Sequence, residues 1–176
     1  MSPWRRSRLC LSGSLVGVLN AQWPPGGGSD PAALLQHWGP LTVVEVQVPP
    51  ALATLLQSQG ASLPQPVLGL ALVETGASIT AVDRRVIESL GVPPVGVQPV
   101  GTAGGVQNQF VYPASLRLAA MDVIVDFNSV LGADLQGQAS PVPDVPLICL
   151  IGRDVLREGV LFYNGLTGAW TLARND

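Results

Sequence analysis

The sequence predicts an all-β domain. Short apolar, β-branched runs recur along the chain, turn-forming segments separate them, and only two short stretches show helical spacing. With 176 residues, 47% of them hydrophobic and only 12% charged, there is enough apolar material for one sizeable core.

Residues 1–30 read as a flexible leader with a weak export-signal shape. Arg5, Arg6 and Arg8 precede an apolar stretch at 9–19, but Ser12, Gly13, Ser14 and Gly17 interrupt it. That interruption favours an unordered leader over a cleaved signal, and a cytoplasmic chain over an exported one. The Pro- and Gly-rich residues 24–30 mark the boundary of a domain spanning 31–176.

Residues 40–48 predict a strand with Val44, Val46 and Val48 on one face and Glu45 and Gln47 on the other. Pro49-Pro50 ends it and opens a short helix carrying Leu52, Leu55 and Leu56, closed by Gly60. Residues 67–73 are nearly all apolar, as in a strand buried on both faces. Asp83 is an N-cap for a second helix, with Val86 and Leu90 on one face and Gly91 as its stop. Residues 95–100 and 110–118 predict a hairpin whose mobile tip is Gly101-Thr102-Ala103-Gly104-Gly105. Next come a short strand at 123–125, a loop at 132–146, a buried strand at 147–151, one helical turn at 154–158, and a hairpin around Asn164-Gly165.

Charge and composition exclude several functions. All nine basic residues are Arg and three lie in the leader, leaving six against 12 acidic residues, so no basic face exists for nucleic acid. Cys10, Cys149 and the single His37 cannot build a disulfide framework or a zinc site, and any nucleophilic triad would rest on that one histidine. No metal or organic cofactor is expected. No stretch approaches the ~20 apolar residues that span a bilayer.

The most informative segment is Leu70-Ala71-Leu72-Val73-Glu74-Thr75-Gly76-Ala77-Ser78. A buried strand runs directly into an acid, which is costly to bury ionised unless partners compensate. Gly76 permits a sharp turn, and Thr75 and Ser78 supply hydroxyls. This segment resembles the Asp-Thr-Gly-Ala-Ser loop of retropepsin-like aspartic proteases, specifically their bacterial-type single-domain members. Leu150-Ile151-Gly152-Arg153-Asp154 resembles the family's second signature, two hydrophobic residues followed by Gly-Arg-Asn/Asp ahead of a short helix. The likeness covers roughly residues 39–173.

The resemblance implies a closed β-barrel with one or two short helices, and an active site at the two-fold axis of a homodimer. It implies an aspartic-type endopeptidase in which two carboxylates share a proton and activate water, with an acid-leaning optimum. Glu74 stands where the family has its catalytic aspartate, adding one methylene per subunit. Thr75 is expected to bond across the axis, Gly76 and Ala77 to line the cleft, and Ser78 to complete the loop. Thr102, Ala103, Gly104 and Gly105 correspond to the flap that closes over an extended peptide. Ile151, Gly152, Arg153 and Asp154 are expected to support the loop. Ser78 occupies the place of the acid that viral members pair with the arginine, so Arg153 is left with Asp83 or a backbone carbonyl. The alternative function is a silent peptide-binding or dimerisation module that keeps the cleft without hydrolysis.

Overall fold

The computed structural model describes residues 5–11, 14–22, 30–102 and 105–175. Along the chain lie β1 (Arg5–Leu11), β2 (Ser14–Gln22), α1 (Pro31–Trp38), β3 (Leu41–Gln47), α2 (Pro50–Ser58) and β4 (Val67–Val73). Then follow β5 (Ala81–Asp83), α3 (Arg84–Ser89), β6 (Gly96–Thr102), β7 (Gly105–Leu118) and β8 (Val123–Ala133). The described chain ends with β9 (Leu147–Ile151), α4 (Arg153–Leu156), β10 (Gly159–Asn164) and β11 (Ala169–Asn175).

Six strands close a barrel in the order β3-β4-β9-β5-β8-β7, sealed by β3 pairing with β7. At the seam Glu45 lies opposite Arg117 and the two form an ion pair at 3.1 Å. The 14-residue β7 has two roles. Its C-terminal half closes the barrel, and its N-terminal part pairs with β6 to form a hairpin beyond it. The β7–β8 register shifts at Pro113, which has no N–H to donate to a ladder.

Alternation places Val44 and Val46 in the core with Ala71, Val73, Val82, Tyr112, Leu116, Val130 and Ile151, and Ile148 is buried there from the other face of β9. Cys149 is fully buried there, and burial, helped by the nearby charge of Asp154, pushes its thiol well above the ordinary range. Tyr112 leans on Gly132, where a Cβ would come within 2.5 Å of the ring, and donates its hydroxyl to Glu88 at 3.0 Å, tying α3 to the barrel.

Three expectations are corrected. The leader is not wholly unstructured: β2 pairs with β11 in a second sheet ordered β1-β2-β11-β10, and Leu19 and Ala21 join Trp170 and Leu172 in the main core. Of the Ser and Gly residues that break up an export-type helix, Ser14 and Gly17 are tolerated in this strand, and Gly17 sits close to Val123 and Met121. The helix count rises from two to four among the described residues, because residues 31–38 also form a helix and the single turn expected at 154–158 is a short helix, α4. Asp30 caps it by accepting from Ala32 N–H at 3.1 Å, Pro31 opens it, and only Leu35 is buried, too short a stripe to betray a helical period. Finally, the strand expected at 123–125 runs to Ala133, its alternation hidden by polar Asp126, Asn128 and Ser129 and by the register shift opposite Pro113. The domain boundary expected at 24–30 lies mostly outside the described residues.

Leu19→Ala is expected to destabilise the protein by about 3 kcal/mol in urea unfolding, as for other buried leucines; an unordered leader would leave stability unchanged. Burial first, then the Glu88 hydrogen bond and charge, raises the Tyr112 phenol above its ordinary 10.0. Because the folded value lies above the unfolded one, this contribution is intact below about pH 10 and lost as pH climbs through the folded value. Tyr112→Phe is therefore expected to flatten the alkaline fall in stability, measured by unfolding across pH 9 to 11.

Candidate active site

Strand β9 lies between β4 and β5, parallel to the first and antiparallel to the second. The connection from β4 to β5, residues 74–80, must therefore cross the C-terminal end of β9. This crossing brings the two sequence signatures together. Val73 pairs with Ile151, and Glu74 N–H donates to Ile151 C=O at 2.9 Å.

Glu74 is half-buried at the start of the loop. Its Oε1 accepts from Gly76 N–H at 2.8 Å, and its backbone carbonyl accepts from Ala77 N–H at 3.3 Å. The extra methylene is thus taken up by folding the carboxylate over its own turn. A Cβ at position 76 would lie 2.8 Å from Glu74 Oε1, so a side chain there would push the carboxylate aside. Thr75, Gly76 and Ser78 are exposed and Ala77 is half-buried.

The second signature fastens the loop from below. Arg153 donates through Nη1 to Thr75 C=O at 2.8 Å and Gly76 C=O at 3.2 Å, and its N–H donates to Ala77 C=O at 2.9 Å. Of the two partners expected for Arg153, the backbone carbonyls take the role. Asp83 is engaged elsewhere, capping α3 through Arg85 N–H at 2.9 Å and accepting Leu135 N–H at 3.0 Å.

Asp154 accepts from Thr80 twice, from N–H at 2.9 Å and from Oγ1–H at 2.7 Å, while Thr80 Oγ1 accepts from Gly152 N–H at 3.1 Å. A Cβ on Gly152 would lie 2.6 Å from the Ile79 carbonyl carbon and 2.8 Å from Thr80 N. Only glycine lets the two backbones approach this closely. Thr80, fully buried, is the residue that sequence reasoning missed. The available signal was one hydroxyl in the otherwise apolar run Ile79-Thr80-Ala81-Val82.

The β6–β7 hairpin supplies the flap positions. Thr102 pairs with Gly105 next to the tip, Gly105 has a φ of 106° that favours glycine, and Ala103 and Gly104 lie outside the described residues. Hairpin and loop meet in a second apolar cluster on the outside of the barrel, where Ile79, Val100 and Leu150 pack around Ala81, Val111 and Leu131. No group of three or more His, Cys, Asp or Glu side chains gathers as a metal site among the described residues. No described helix is long and apolar enough to cross a membrane.

No protein-family model matches the chain, and no curated protein matches its sequence.

Thr80→Val removes the hydroxyl that joins Asp154 to Gly152 and is expected to cost about 2 kcal/mol, typical of an orphaned buried polar group. Thr80→Ser keeps the hydroxyl and should retain most of that stability; equal losses in the two variants under chemical unfolding would contradict the clamp.

Proposed function

We propose that this chain is an aspartic-type endopeptidase of retropepsin-like fold, acting as a homodimer. The observation that carries the reading is the Glu74 turn. A half-buried carboxylate ends a core strand, is steered by the Gly76 N–H, and sits on a loop held by Arg153 and Asp154. An adjoining hairpin shares an apolar cluster with that loop and offers a strand edge along which an extended peptide can pair.

Water activation by carboxylates needs two of them, one to take a proton and one to supply it. The chain carries one Glu-Thr-Gly turn, so the second comes from an identical chain at a two-fold axis. Glu74 from each subunit holds the attacking water and protonates the leaving amine. The apolar cluster under the hairpin takes a substrate side chain. Neither a metal nor an organic cofactor enters this scheme.

One observation favours a silent peptide-binding module instead. The Glu74 Oε1–Gly76 N–H bond commits one carboxylate oxygen to its own loop. Activity separates the two readings.

On an unbiased peptide mixture assayed by mass spectrometry between about pH 3 and 7, the protein is expected to cleave weakly. Glu74→Asp should be faster, by up to about 10²-fold if the added methylene displaces the carboxylate by roughly 1 Å, and Glu74→Gln should be inactive. Cleavage by none of the three, with peptide still bound, would establish the silent module. Cleavage unaffected by Glu74→Gln would remove position 74 from the chemistry.

A further inference from the structure

The two faces of the β6–β7 hairpin are distributed the wrong way round for a surface ribbon. Directly paired residues share a face. Val97 pairs with Phe110, Pro99 with Asn108 and Gly101 with Val106, and this mainly apolar face is turned to solvent, with Val97 56%, Val106 75% and Phe110 46% exposed. The opposite face carries the pairs Gly96–Val111, Gln98–Gln109 and Val100–Gln107. On it Val100 and Val111 both pack into the cluster that includes Ile79 of the candidate active-site loop. Gln98 and Gln109 lie between these two valines, half-buried, and neither amide forms a hydrogen bond among the described residues.

Solvation alone would put the amides outward and the valines and phenylalanine inward. These two amides on the inward face bond to no described protein group and are open to water, so a ligand's polar group can take the water's place. Each offers one carbonyl acceptor and two N–H donors, so an opposed pair complements another amide, which needs both. A charged side chain is a poor guest: residues 91–116 contain no charge to balance it, and it would lose hydration against an apolar floor.

We propose that Gln98 and Gln109 are specificity-determining residues that bind the side-chain amide of a Gln or Asn within an uncharged, extended peptide. This deepens the proposed peptidase reading and rests on it for the location of the cleft. The guest's methylene stem lies on Val100 and Val111, and its amide exchanges hydrogen bonds with the glutamine pair. The apolar outer face takes no part.

The test reads binding, so it does not depend on turnover. Immobilised full-length protein is exposed to a positional-scanning library of uncharged decapeptides in which one position is Gln, Asn, Met, Glu or Lys, and retained peptides are quantified. Retention of Gln and Asn about tenfold above Met at one position, with Glu and Lys lower still, is expected from one or two net hydrogen bonds. In Gln98→Met/Gln109→Met that preference should vanish while Met peptides remain bound, and an unchanged melting temperature shows the hairpin intact. Single Gln98→Asn keeps an amide and should keep part of the preference. Peptides retained with no amide preference, or with the same preference in the double variant, would overturn this proposal alone. No retention of any peptide would overturn it together with the peptide-cleft reading.

Discussion

Strand β9 reaches the end of the barrel between β4 and β5 only because position 152 has no side chain. That close approach of Gly152 to the Ile79–Thr80 backbone is the constraint on which the rest of the site depends. It lets one buried hydroxyl, that of Thr80, serve Asp154 and Gly152 at once, so a single carboxylate organises both sides of the crossing. With the crossing fixed, the β4–β5 loop has little freedom. Its carbonyls at 75 and 76 face Arg153, and its one carboxylate, that of Glu74, is aimed by the Gly76 N–H. A glycine and a buried threonine thus fix the loop that carries the acid.

The barrel and hairpin divide labour along a single strand. In its C-terminal half β7 is a wall of the core, with Leu116 and Leu118 buried. In its N-terminal part it leaves the barrel and carries exposed and half-buried residues on opposite faces of the hairpin. Pro113 stands at the change, where the β8 ladder loses a donor and shifts. Cluster formation on the outer wall, around Ala81, Val111 and Leu131, then links hairpin and loop. The hairpin is therefore joined to the acid-bearing loop through packed side chains outside the core.

Much of this was legible in the residues. Strand β9 begins and ends at the expected positions, β4 spans the expected 67–73 and runs into the acid, though Leu68 is exposed, and Asp83 caps its helix as its position before Arg84 suggests. These features are local: period, cap and breaker lie within a few residues of one another. What was hidden is tertiary. Leu19 is buried only because β11 pairs with β2 across some 150 residues of sequence, and the interrupted run at 9–19 gives no hint of that partner. The Thr80–Asp154 clamp spans 74 positions and joins two residues whose types are unremarkable alone. The orientation of Gln98 and Gln109 depends on the hairpin register, which the glycine-bearing tip leaves open until the strands are paired.

In the proposed scheme, a carboxylate turn that is present once per chain acts only beside its twin. Sedimentation equilibrium of the full chain over a range of concentrations, at mildly acidic pH and with a bound peptide, tests that requirement most directly. The account predicts a reversible equilibrium between the chain mass and twice the chain mass, with cleavage rate following the doubled species. A single species at the chain mass throughout, with cleavage proportional to total protein, would contradict it.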